Sequence, residues 1–289
     1  MRKLVVLFAA ILFLAACSST RFAYRNADWF INWAVDDFVE LDSQQQSRFD
    51  DSLHNMLDWH CVKELPRYRQ YLDDLTGVLV EDSPLVLTEA ALQSLSVRAV
   101  EAWSVLVARA FAESHPIVES FSDSQVSDLL LELEDRNQRL YKKYGAIDAQ
   151  ALEEIRVQRV RDAMRRWAGS VSKEQKQLAL AWAQRADNVY DLMHERREKW
   201  RSRLADILAQ RAEVGFVAAL REHLLHPERL YTLAQRQRLL ANQQSAQQLL
   251  LALERSLSQR QRRHLLAELS GIVEDIERLS APNCRLREN

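Results

Sequence analysis

Few residues in this chain have the types and spacings that chemistry needs. Cys61 and Cys284 form one candidate pair. In an oxidising compartment two such thiols either join or stay apart, and geometry decides between them. If joined, they close a loop from residue 61 to residue 284, worth on the order of 4 to 5 kcal/mol in the chain-entropy model. Redox catalysis would need a partner cysteine nearby, and no Cys-x-x-Cys pair occurs. Among seven histidines, His54, His60 and Cys61 share one short stretch, and His223 and His226 stand three apart before Pro227. Three-residue spacing could place two imidazoles on one helical face for a metal. Neither group follows a ligand signature, so ordinary polar or half-buried histidines are expected, with no metal and no cofactor. Asp36 and Asp37 would suit hydrolysis only if they converged, but sequence neighbours on a helix point to different sides. The Gly-rich nucleotide fingerprint and the Gly-x-Ser-x-Gly elbow are both missing. No catalytic residue can be named, and binding rather than catalysis is expected.

The elements that would position these residues are helices. Five glycines and five prolines leave little for hairpins, while 47% of the chain is apolar and helix formers abound. Four helix-opening phrases recur: Leu41-Asp42-Ser43-Gln44-Gln45, Phe121-Ser122-Asp123-Ser124-Gln125, Val171-Ser172-Lys173-Glu174-Gln175 and Leu257-Ser258-Gln259-Arg260-Gln261. Each reads as a capping box, in which the cap oxygen takes the N–H three residues on and the glutamine reaches back to the cap. Gly145 and Gly169 follow basic last turns and suit left-handed C-caps.

The segments so marked are 24–40, 43–64, 66–81, 86–114, 122–144, 148–168, 172–214, 216–225, 228–255 and 258–280. The expected fold is all-α, an elongated bundle of about nine or ten helices. One long helix at 172–214 would carry Leu178, Trp182, Ala186, Val189, Met193, Trp200, Leu204, Leu208 and Arg211 on one face. Arg197 interrupts that stripe and would need an acidic partner or a snorkelling path. No long Ser/Gly/Pro linker divides the chain, so residues 24–289 read as a single helical domain with a weak seam at 145–148.

The N-terminus supplies an address. Arg2 and Lys3 precede an apolar run from Leu4 to Leu14, too short for a stable span and right for a secretory signal. Leu14-Ala15-Ala16-Cys17 resembles the lipobox of bacterial lipoproteins. That likeness implies cleavage of residues 1–16 as a signal peptide and acylation, palmitate included, of the Cys17 thiol. Residues 17–23 would then be the lipidated cysteine and a short tether. Losing Arg2 and Lys3 moves the formal charge from −2 to −4, and nothing demands nucleic acid. Phe22, Tyr24, Trp29, Phe30, Trp33 and Phe38 crowd the next segment. Phe22, Tyr24, Trp29 and Trp33 are candidates for a membrane interface, although Trp29, Phe30, Trp33 and Phe38 are more simply read as a core face.

Further on, Tyr24, Asn26-Ala27-Asp28-Trp29, Trp33 and Leu41-Asp42-x-x-Gln45 resemble a family of uncharacterised lipoproteins from Gram-negative bacteria. The resemblance implies a helical, lipid-anchored envelope protein without an established activity. Ser18 stands where, by resemblance to enterobacterial lipoproteins, an aspartate would retain the protein at the inner membrane, so the outer membrane facing the periplasm is expected. The capping phrases are also similar to the Leu-Thr-x-x-Gln motif of Spy- and CpxP-type periplasmic chaperones, with Asp42, Ser122, Ser172 and Ser258 in place of threonine.

Charge is uneven. Asp28, Asp36, Asp37, Glu40, Asp42, Asp50, Asp51, Asp58 and Glu64 face only Arg48 and Lys63 in their segment, whereas Arg156, Arg159, Arg161, Arg165 and Arg166 make a basic helix. Arg196, Arg197, Lys199, Arg201 and Arg203 interleave with Glu195, Glu198 and Asp206, which favours self-paired faces over anionic headgroups or an acidic partner. The leading expectation is a helical scaffold that holds another envelope protein. The alternatives are an ATP-independent holdase and, last, an envelope hydrolase.

Overall fold

The computed structural model describes residues 17–80, 87–280 and Cys284, without the side chains of residues 17–19. The signal segment 1–16 lies outside the described residues. Every regular element among the described residues is helical. In chain order they are α1 Cys17–Arg25, α2 Ala27–Asp36, α3 Ser43–Trp59, a π turn His60–Glu64, α4 Leu65–Leu79, α5 Glu89–Glu119, α6 Asp123–Tyr144, α7 Ala149–Ala168, α8 Lys173–Arg185, α9 Tyr190–Ala209, α10 Phe216–Leu225, a 3-10 turn Pro227–Leu230, α11 Leu233–Arg255 and α12 Gln259–Leu279.

A spine runs the length of the bundle. Pro66 does not separate α3 from α4. The π turn closes with Leu65 N–H on the His60 carbonyl, and this wider turn carries the chain past a residue without a donor. Pro116 likewise sits inside α5, expected to stop at 114, while Ser52 donates to the Glu113 carbonyl in that turn at 3.0 Å. Burial of Ile117 and Phe121 against Val39 holds the segment helical. Helix α5 lies antiparallel to the α3–α4 rod, as Ser52–Glu113, Trp59–Arg109 and Tyr71–Arg98 contacts show in succession.

Core forms at both ends of this spine. At one end Phe111 packs with Leu204, Ile207, Leu208, Phe216 and Leu220, next to the Val39–Ile117–Phe121 cluster. At the other, Leu79, Leu87, Leu251 and Leu269 adjoin Met164, Ala168, Leu249 and Leu253. Between them the middle of α5 buries Ala102 and exposes Val97, Val100 and Val105.

The four capping boxes form, and their glutamines then do a second task. Gln45 and Gln125 exchange amide hydrogen bonds of 3.1 and 2.6 Å, so the starts of α3 and α6 are tied together. Gln175 and Gln261 do the same for α8 and α12 at 3.1 and 2.9 Å. Each amide also donates to the carbonyl two residues before its partner's cap: Ser120, Glu40, Ser256 and Ser170 respectively. Each side-chain oxygen accepts from its own cap N–H and from the partner amide, so a buried polar pair is fully satisfied. One such knot sits in each lobe.

Several sequence expectations require correction. The helix at 172–214 is two helices. Ala186 turns extended, Asn188 Oδ1 caps the Tyr190 N–H, and Asn242 of α11 bonds both the N–H and the carbonyl of Asp187 at 2.9 Å. Arg156 takes the Ala183, Ala186 and Asp187 carbonyls, and Arg238 takes that of Asn188. The interruption spans 186–189, and an apolar spacing of four does not register a four-residue break. Residues 17–23, expected as a tether, lie in α1, and Asn26 divides the helix expected at 24–40. Helix α11 starts behind a fifth box, Thr232 with Gln235, because Pro227 first opens a 3-10 turn. Gly169 is left-handed at φ 72°, but Gly145 is not: it has φ −92°, and the Ala146 N–H reaches the Tyr141 carbonyl in a wide turn.

Candidate membrane-facing site

Helix α1 begins at Cys17 and is fixed along one side. Arg21 pairs with the buried Asp275 of α12 at 3.1 Å. The Tyr24 hydroxyl meets His60 Nδ1 in the π turn at 2.9 Å, and its ring packs with Cys61, Leu65, Ile276 and Leu279. Tyr24 therefore does not belong to an exposed interface. Burial raises its phenol well above the ordinary range and pushes the His60 imidazole down to about 4. Burial also raises Asp275, against the pull of Arg21.

The opposite side of α1 and α2 carries the other aromatics. Asn26 N–H bonds the Phe22 carbonyl and Phe30 N–H bonds that of Asn26, so the two helices follow one another almost without a break. Phe22, Trp29 and Trp33 fall at i, i+7 and i+11, on one line. They are 62%, 61% and 40% exposed. The Trp29 and Trp33 rings are parallel with centroids 6.5 Å apart, and Phe30 meets Trp29 edge-on at 4.8 Å. Of the aromatics read as a core face, Phe38 is half-buried under the Arg136 guanidinium, 3.8 Å from its ring centroid, whereas Trp29 and Trp33 turn outward. Exposed rings in a row at a helix start can enter the headgroup region of a bilayer.

Beneath α1, Cys61 and Cys284 are joined, with S–S 2.13 Å and Cα–Cα 5.7 Å. The bond ties residue 284 to the π turn. The remaining candidates are dispersed. His54 faces Asp58 at 3.3 Å, His226 lies between Glu222 and Glu228, and His223 stacks on Trp200 at 4.7 Å. Among the described residues no group of three or more metal-ligating side chains is found. Asp37 pairs with Arg136 of α6 at 3.3 Å, and Arg166 of the basic helix pairs with Glu268 of α12 at 2.7 Å. The glutamine pairs escaped sequence reasoning. A capping box explains a glutamine locally, and only its repetition hinted at a second partner.

No curated protein and no solved structure matches the chain. Residues 37–236 match a family model, a stretch that holds the Gln45–Gln125 knot and ends before Gln261. The protein thus belongs to the family of unknown function DUF6279.

Proposed function

We propose that the protein is a lipid-anchored envelope protein, held through Cys17 at the outer membrane facing the periplasm, whose helical surfaces hold another envelope protein without catalysis. The observation that carries this reading is the outward row of Phe22, Trp29 and Trp33 that follows Cys17 along α1 and α2, with α1 fixed along its other side. One acyl chain binds a bilayer only marginally, and inserted rings are a second signal. The joined Cys61 and Cys284 suit an oxidising compartment.

Intact mass of the chain recovered from Gram-negative membranes under non-reducing conditions should show loss of residues 1–16, an acylated Cys17 and two thiols missing. A soluble product that keeps Met1 would end this reading. The double variant Trp29→Ser, Trp33→Ser should weaken partition into vesicles by about thirtyfold, since two partly exposed indoles contribute on the order of 1 kcal/mol each at an interface. Cross-linking in intact envelopes should return a recurrent protein partner, and its repeated absence would remove the scaffold role.

A second reading, an ATP-independent holdase, is favoured by the exposed Val97, Val100 and Val105 along α5. Suppression of aggregation at stoichiometric protein would support it, and no effect in excess would dismiss it.

A further inference from the structure

The waist between the two ends of the bundle holds Lys143, Arg159 and Arg197, none of which pairs with a carboxylate among the described residues. There α6 ends at Tyr144, α7 starts, and the 186–189 break feeds α9. Tyr144 and Tyr190 stack with centroids 5.0 Å apart. Arg159 of α7 lies 4.7 Å over the Tyr144 ring and donates to the Tyr190 hydroxyl at 3.3 Å. Lys143 stands 5.0 Å from the centroid of the same Tyr144 ring. The phenols of Tyr190 and Tyr144 favour the charged form of Arg159 against its burial, and Arg156 is a further cation beside it.

Arg197 occupies the same face of α9 as Tyr190, two turns on, and its side chain leans back toward the helix start. It is half-buried, with Nε shielded from solvent and without a hydrogen-bond partner. The sequence pattern asked for an acid beside it or a snorkelling path to the edge. What the fold supplies instead is Arg196 and the phenols of Tyr231 and Tyr190. Two acids beside Tyr190 are engaged with another cation: Asp187 bonds Arg238 at 2.6 Å, and Asp191 lies 3.9 Å from the same guanidinium. A guanidinium desolvated without an anion weakens the fold, and such costs concentrate where a ligand supplies the missing charge. Guanidinium groups beside phenol hydroxyls are donors that match the oxygens of a phosphate.

We propose that Arg159, Arg197, Lys143 and the Tyr190 hydroxyl form a binding site for a phosphate-bearing anion at the seam between the lobes. The group is either the headgroup phosphate of an anionic lipid or a free phosphate, and both present the same oxygens. The site draws on α6 and α7 as well as α9, so an occupant would fasten one lobe to the other. It does not depend on the Cys17 anchor.

The test uses the full chain and inorganic phosphate as probe, with chloride at equal ionic strength and pH as reference. Millimolar phosphate should raise Tm in a saturable way, because a ligand that binds only the folded state stabilises it. Arg159→Gln and Arg197→Gln should each weaken the apparent affinity by at least about tenfold, the usual loss of one charge-assisted hydrogen bond. Arg197→Gln should also unfold no lower than the parent in chloride, since it removes a buried unpaired charge. Arg165→Gln, on the same helix but paired with Asp162 at 3.0 Å, should keep the phosphate response. Vesicles of phosphatidylcholine with and without phosphatidylglycerol separate the two sources. Retention by phosphatidylglycerol that falls in both variants and is competed by phosphate assigns the headgroup, and saturation by phosphate without such retention assigns the free ion. An equal rise in chloride, or full phosphate response in both variants, overturns the site.

Discussion

His60 shows how one side chain couples the N-terminal helix to pH. Its imidazole is held neutral by burial beside Tyr24, near 4 against 6.5 in the unfolded chain. The unfolded state therefore takes up a proton first, and stability present above pH 6.5 is lost as pH falls toward 4, by up to about 3 kcal/mol. Asp275, raised by burial, works in the opposite sense over its own range. His60→Gln should flatten the acid side of the stability curve, read as Tm against pH. Little of this was legible beforehand: aromatic spacing placed Phe22, Tyr24, Trp29 and Trp33 together, but it could not say which side meets α12. Tyr24 is drawn inward by a hydrogen-bond partner 36 residues away, which no local pattern records.

At the scale of elements, helix starts were legible because capping is local chemistry, and breaks were not because they depend on distant side chains. Asp42, Ser122, Ser172 and Ser258 cap as their phrases imply. The break at 186–189 rests on Arg156, Arg238 and Asn242, all outside the segment. The knots give a measurable consequence. Gln175→Ala strands the buried Gln261 amide and should cost about 2 to 3 kcal/mol in urea unfolding, with Gln175→Ala, Gln261→Ala together costing less than the sum by about 1 kcal/mol. Glycines offer a paired comparison. Gly169→Ala forces a side chain into φ 72° with its Cβ 3.1 Å from the His264 ring and should cost about 1 to 2 kcal/mol. Gly77→Ala, inside α4 with open space around the new methyl, should instead stabilise by about 0.5 to 1 kcal/mol.

For the whole molecule, the all-helical class was legible in composition and a weak seam at 145–148 in the chain, whereas the two lobes on either side were not, since they arise from which helices cross rather than from any one of them. The Cys61–Cys284 bond spans 223 residues. Reduction, or Cys61→Ala, should lower stability by about 4 kcal/mol, and Cys284→Ala added to Cys61→Ala should change nothing further. The bond and α1 both attach at the π turn, midway along a spine whose α5 alone measures roughly 46 Å. If the proposed lipid anchor on Cys17 holds, a mooring amidships would leave the particle prone on the leaflet instead of upright. Neutron reflectometry should then record a thin protein layer, about one helix-bundle diameter deep, with both ends of the rod hugging the same surface.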